Sequence, residues 1–230
     1  MNKSEQKLII IYGLHNSGKT FLYNLFKKDD SYITLELYTK HYHIHKSEIS
    51  EQLGEKNAKR LGKYIVSGDI FSTNCFLEEI DFLMKQFPDY DFVVKPGQTD
   101  WLSSNTENIK HLFAIRHPKI SLATCYDHNT DIKDYVKRWI SNHDLLERYA
   151  DILQIIKIEE IETVDKPYTE FDLNEYRFNI FDRLDDFKSD LKIIDSQLKG
   201  LLEFLNYTIE DKNVDKYLRE LDQLRCKKNA

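Results

Sequence analysis

The sequence is poor in the residues that build special scaffolds. Its three cysteines, Cys75, Cys125 and Cys226, are odd in number, far apart and without ligand spacing. They exclude a disulfide framework, argue against a zinc site and favour a reducing compartment. No stretch approaches the ~20 apolar residues that a membrane span requires, and no internal repeat or low-complexity tract is present. The opening "MNKSEQK" runs into only a short apolar segment, so a cytoplasmic protein without a membrane partner is expected. Positive charge is in deficit, with 33 Lys and Arg against 39 Asp and Glu. That balance excludes broad attraction to nucleic acid or anionic lipid, and any anion site has to be local. Glycine is scarce too, at seven in 230 residues, which gives weight to any pair found at a fixed spacing.

What is present suits one buried core: 41% of the residues are hydrophobic and 13% aromatic. Five apolar runs, at 8–12, 32–37, 91–95, 111–115 and 152–158, read as buried strands of a parallel sheet. Segments of helical period alternate with them at 20–28, 47–62, 71–87 and 132–149. This alternation predicts an α/β protein with an open parallel sheet of the phosphate-loop type flanked by helices. Residues 163–176 are polar, contain Pro167 and read as a loop. Beyond them Phe181, Leu184, Phe187, Leu191, Ile194, Leu198, Leu201 and Leu205 recur at steps of three and four, predicting one long amphipathic helix. The terminal "LRCKKNA" reads as frayed. The expectation is a single domain over 1–230 whose C-terminal part, from about residue 162, is loop and helix.

The first strand runs into Gly13-Leu14-His15-Asn16-Ser17-Gly18-Lys19-Thr20, followed by Phe21 and a helical pattern. This is G-x-x-x-x-G-K-[ST] in the strand-to-helix context that the motif needs. Gly13 and Gly18 allow backbone angles that let successive N–H groups turn around an anion, and the helix start adds its positive end. Lys19 supplies a point charge, and Thr20 a hydroxyl for a phosphate oxygen or a metal ion. Transfer from ATP with Mg²⁺ also calls for an acid at a strand end. Runs three and four end in Lys95-Pro96 and Arg116-His117-Pro118, which leaves Asp69, after the short apolar "YIV", as the best candidate acid.

A second anion grip is legible in "IRHPKISLAT", where Arg116 closes the fourth strand and Thr124 follows eight residues later. An arginine fork and a hydroxyl so placed suit a separate phosphate. Here the chain resembles the sulfotransferases that use 3′-phosphoadenosine 5′-phosphosulfate. In that family a loop like P-K-S-G-T-T-W follows strand one, and R-x-P-x-x-x-x-x-S grips the 3′-phosphate. "RWISNHDLLERYADILQIIKIEEI" and "LKGLLEFLNYTIED" are similar to the family's R-Y-E-D-L and L-x-x-I-x-x-F-L-G-L stretches, in the same order. The departures are Asn16 where the family has a basic residue, Lys19 where it has its first threonine, and no histidine base after the third strand, where Lys95 stands.

The resemblance implies that Gly13, His15, Asn16, Ser17, Gly18, Lys19 and Thr20 hold the 5′ end of the donor. It places Phe21 near the adenine and Arg116 with Thr124 on the 3′-phosphate. Some relatives take the acceptor's proton with a glutamate after the second strand, a place that Glu36 fills. Lys19 and Glu36 are therefore the expected catalytic residues, and the acceptor would be a hydroxyl or amine of a small molecule or carbohydrate. No metal site is expected. His41, His43 and His45 alternate and, in an extended segment, would share one side; a solvated face is their expected state. His117 is read as shaping the turn at Arg116, and Arg138 and Trp139 as helix surface and core. Asp100 and Trp101 are candidates for the acceptor pocket. A kinase using ATP and Mg²⁺, and a nucleotide-binding regulatory protein without turnover, are the alternatives. Oligomeric state is not legible.

Overall fold

The computed structural model describes residues 6–14, 16–37, 42–67, 73–96, 108–126, 129–161, 177–208 and 212–228. The chain forms two compact units interleaved along the sequence. The first comprises Met1–Gly13, Lys19–Ala114 and Tyr149–Ile156; the second comprises Leu14–Gly18, Ile115–Arg148 and Lys157–Ala230.

The five apolar runs form strands β1 (Leu8–Gly13), β2 (Tyr32–Leu37), β3 (Asp91–Pro96), β4 (Ile109–Ile115) and β5 (Leu153–Lys157). They make one sheet in the order β2-β3-β1-β4-β5. Pairing is parallel between β1 and β3, β1 and β4, and β2 and β3. Parallel neighbours need crossovers, and the periodic segments supply them as helices. The fold is thus an open α/β sheet flanked by helices, with a helical C-terminal region. Strand β1 is central, and Leu8 to Tyr12 are all buried, as expected of a strand with both faces covered. Tyr12 adds a polar link, its hydroxyl lying 3.0 Å from Nδ1 of His111 on β4. Burial pushes the phenol well above its ordinary range, so Tyr12 stays protonated in this pair. Edge strand β2 is covered by a side chain. Thr34 N–H donates to Gln52 Oε1 (2.9 Å), and Gln52 Nε2 donates back to Thr34 O (3.3 Å), which occupies backbone groups that an edge otherwise exposes.

Helix α1 (Lys19–Lys27) follows the Gly13–Gly18 loop. The single helix expected over 47–62 is two, α2 (Tyr42–Leu53) and α3 (Glu55–Ser67). Gly54, at φ +77°, ends the first by donating its N–H to Ser50 O (2.9 Å), and its carbonyl accepts the N–H of Ala58 as the second begins. Helix α3 also takes in residues 64–66, so "YIV" is not a strand, and Asp69 lies outside the described residues. His43 and His45 stand in α2 rather than in an extended segment. At ~100° of rotation per residue, a spacing of two does not align a helical pair. His41, Gly97, Asp100, Trp101 and the loop expected at 163–176 are outside the described residues. Helix α4 (Thr73–Gln86) buries Ile80 and Leu83.

In the second unit, α5 (Pro118–Cys125) and α6 (Ile132–Arg148) precede a short 3₁₀ turn, Ile158–Glu160. Trp139 of α6 is buried and Arg138 exposed. The long helix expected over 181–205 is three: α7 (Arg177–Asp182), α8 (Leu184–Gln197) and α9 (Lys199–Phe204). The apolar period survives both breaks because each occupies one residue, Arg183 or Leu198, and hydrogen bonds bridge it. Phe187 N–H reaches Arg183 O, and Leu202 N–H reaches Leu198 O, each at 2.9 Å. Leu184, Phe187, Leu191, Ile194, Leu198, Leu201 and Leu205 are consequently all buried. The frayed end is also corrected, because α10 (Lys212–Lys228) runs almost to the terminus. It buries Val214, Tyr217 and Leu221 and is tied to α8 by Lys188–Asp222 (2.7 Å) and Arg225–Asp185 (2.9 Å). Among the described residues, no helix is long and apolar enough to cross a membrane.

A Cβ added at Gly54 would meet nothing within 4 Å, so only backbone strain opposes a side chain there. Gly54→Ala should lower stability by about 1 kcal/mol, read as a shifted midpoint in urea unfolding with an unchanged slope.

Candidate functional site

Parallel strands place residues in register on the same face, and the β2–β3 register pairs Glu36 with Lys95 at the carboxyl ends of both strands. Ligands of open α/β sheets bind at that end. The Lys95 ammonium lies 2.5 Å from Glu36 Oε1 and donates to Thr20 Oγ1 at 3.1 Å. It also sits 5.2 Å from the centre of the Tyr23 ring, a favourable place for a cation. Lys95 is 7% and Glu36 14% exposed, so both charges are largely withdrawn from water and each depends on the other. Glu36, expected after the second strand, lies inside β2 near its carboxyl end and is ion-paired.

Lys19 is the first residue of α1, and its Nζ donates to Gly13 O at 3.2 Å. Burial, and next the positive charge of Lys95, hold its pKa below the ordinary lysine range, while Glu36 acts in the opposite sense. A lysine so placed gains from an incoming anion twice, because the anion offsets the lost hydration and relieves the like charge. Thr20 is exposed and Phe21 half-buried on the same helix.

The rest of the loop, Leu14–Gly18, belongs to the second unit. Asn16 adopts φ +61° and Gly18 φ +85°, a left-handed backbone of the kind that turns successive N–H groups toward one point. Ser17 N–H closes a turn on Leu14 O (3.2 Å), and Asn16 O accepts the Ser121 hydroxyl (3.3 Å). One observation fits the loop to an anion. The Ser17 hydroxyl is fully buried and has no hydrogen-bond partner among the described residues, a state that normally calls for a ligand or water. Gly18 is so close to Ile158 that an added Cβ would lie 2.5 Å from Ile158 Cγ1. His15 lies outside the described residues.

Arg116 leaves β4 as a largely buried residue, 9% exposed. His117 shapes the turn, as expected. Its Nδ1 accepts the Lys119 N–H (3.2 Å) as the cap of α5, and its Nε2 donates to Thr208 O (3.0 Å). Thr124 Oγ1 donates to Ser121 O, one turn back in α5 (2.8 Å), so its proton is engaged within the helix and would have to turn away from Ser121 to meet an anion. The sequence did not reveal Ser121, Glu159 or Tyr207. Glu159 accepts the His117 N–H on Oε1 (2.6 Å) and the Tyr207 hydroxyl on Oε2 (3.0 Å). No local spacing relates residues 42 to 105 positions apart. Among the described residues, the groups whose ligand atoms cluster closely enough for a metal ion are His143, Asp144 and Glu147 on the outer part of α6.

No family model and no curated protein sequence matches the chain. Among solved structures, one described as the PezAT chromosomal toxin-antitoxin system of the human pathogen Streptococcus pneumoniae is similar at 14% identity. The match covers 86% of this chain and 88% of that one, with a TM-score of 0.31. A superposition this loose carries no functional argument.

Gly18→Ala places a side chain on a left-handed backbone and against Ile158. It should cost about 2 kcal/mol or more, as measured by chemical unfolding.

Proposed function

We propose that this chain is a sulfotransferase that moves a sulfuryl group from 3′-phosphoadenosine 5′-phosphosulfate to a hydroxyl or amine of a small-molecule or carbohydrate acceptor. The observation that supports this reading best is the Lys95 ammonium on Thr20 Oγ1 and Glu36. In phosphate-loop enzymes that use ATP, the corresponding hydroxyl and a nearby acid hold Mg²⁺. Here a lysine engages both oxygens, and a fixed ammonium would supply positive charge where those enzymes recruit an ion. Lys19, Thr20 and the loop backbone, with Ser17, would hold the donor's 5′ end, and Arg116 its 3′-phosphate, joined by Thr124 once that hydroxyl turns from Ser121 O. The donor supplies the sulfuryl group and a phosphate leaving group. Lys19 and the loop N–H groups would meet the charge that collects on the leaving oxygen. Glu36 would take the proton of the acceptor hydroxyl, and Lys95 would hold its carboxylate in place.

The same two oxygens favour one second reading. Thr20 Oγ1 and Glu36 are an oxygen pair that could serve Mg²⁺ if Lys95 withdrew, which is what a kinase transferring the γ-phosphate of ATP would require.

The readings separate on donor and metal. 3′-Phosphoadenosine 5′-phosphate should raise the melting temperature in EDTA, ATP with Mg²⁺ should protect less, and Arg116→Ala should remove the difference. Glu36→Gln should slow sulfuryl transfer by about 10²–10⁴-fold while the bisphosphate still binds. Protection by ATP and Mg²⁺ alone, indifferent to Arg116, would sink the sulfotransferase reading.

A further inference from the structure

The Lys95 ammonium carries three N–H donors and no lone pair, so the oxygens that meet it turn lone pairs toward it. Glu36 Oε1 does so from β2 at 2.5 Å, and Thr20 Oγ1 from α1 at 3.1 Å. A carboxylate and a hydroxyl that aim lone pairs at one point from separate elements offer what a hard divalent cation takes. Two protein oxygens are enough for Mg²⁺ or Mn²⁺, because such ions keep several waters as further ligands. Tyr23, 4% exposed, brings its ring centre to 5.2 Å from the same point, and a ring face favours positive charge of either kind. Removing the ammonium would leave the largely withdrawn Glu36 carboxylate in need of another cation.

We propose that Lys95 is a specificity-determining residue seated in a divalent-cation position, so that the wild-type chain excludes Mg²⁺ and Mn²⁺ from Thr20 and Glu36 and loss of the ammonium admits them. The consequence for the donor, a nucleotide held without a metal ion, rests on the sulfotransferase reading above; the exclusion itself does not. The tethered ammonium prevails over a free ion for two reasons. It is already fixed to β3 and gives up no translational freedom on taking its place. It also sheds no tightly held shell of water there, which Mg²⁺ does only reluctantly. Lys19, at the start of the same helix as Thr20, donates to Gly13 O at 3.2 Å, so the second ammonium of the site is anchored elsewhere.

The test uses the full chain and Mn²⁺ alone, reading binding from the paramagnetic resonance signal of the free ion and stability from melting temperatures in Mn²⁺ and in EDTA. Lys95→Met keeps a long unbranched side chain and removes the charge. It should melt below wild type in EDTA, recover much of the loss in Mn²⁺, and bind Mn²⁺ about tenfold more tightly than wild type does. Adding Glu36→Gln should abolish both the recovery and the extra affinity, since a neutral amide calls for no cation. Wild type should melt alike in Mn²⁺ and in EDTA. A Lys95→Met chain unfolded in EDTA and folded in Mn²⁺ supports the assignment most directly. A chain that stays unfolded in Mn²⁺, that gains no affinity because Lys19 moves to Glu36, or that keeps its gain in the double variant overturns the assignment and leaves the donor reading standing. Mn²⁺ binding by wild type that Glu36→Gln removes overturns the exclusion and favours the Mg²⁺-dependent reading. The donor reading fails separately, on the absence of protection by 3′-phosphoadenosine 5′-phosphate in EDTA.

Discussion

A single ammonium group, that of Lys95, joins the elements from which the candidate site is built. It comes from β3, pairs with Glu36 of β2 and donates to Thr20 of α1, so the ends of two strands and the start of one helix share one nearly dry charge. Such a group is held strongly because each partner would be costly to leave alone. Its place follows from the sheet, since the register that sets Ile33 beside Phe92 also sets Glu36 beside Lys95. Shifting β2 by one residue would turn Glu36 to the other face. The buried Leu35 and Val94 resist that shift, so apolar packing in the strands fixes the polar geometry at their ends.

The loop between β1 and α1 is constrained in a complementary way, by backbone rather than by charge. Asn16 and Gly18 take the left-handed conformation, and Ile158 leaves Gly18 no room for a side chain. Asparagine tolerates such angles better than most residues, whereas Gly18 faces both a conformational and a steric demand. The Ser17 hydroxyl, buried and without a partner among the described residues, is the cost of holding the loop in this form.

Much of this was legible in the sequence, for physical reasons. The five strands were found within two residues at each end because buried parallel strands are continuous apolar runs, and the loop was found because its motif is local. Helix breaks were not legible. Arg183 and Leu198 interrupt a period that continues undisturbed on either side, so a pattern of burial reads as one helix where the backbone makes three. The break at Gly54 had a signal that reading 47–62 as one helix passed over, since a glycine inside a polar helical stretch suits a left-handed cap. In the site, Glu36 and Lys95 were each visible at a strand end, and only the strand order makes them partners. Glu159 and Tyr207 belong to elements 48 positions apart and carry no local signature.

The contrast between a lysine and a magnesium ion then bears on which donor the site would suit. The transferred sulfuryl group bears one negative charge, whereas a terminal phosphoryl group bears about two near neutrality, and a divalent ion bridging phosphates meets the larger burden. Lys95 brings one positive charge, most of which is answered by Glu36, and Lys19 brings a second that burial and Lys95 make harder to keep. Two lysines and one acid leave a net of one positive charge, a better match to the sulfuryl group than to the end of a triphosphate. To serve a triphosphate with Mg²⁺, Lys95 would have to leave both oxygens, and the Glu36 carboxylate would exchange an ammonium already in place for an ion that must shed water to enter. The acidic chain as a whole, at net charge −6, sharpens the point. Away from these few cations it repels anions, so an anionic donor would have to be recognised by fixed groups at short range, and their number and charge would set what it can be.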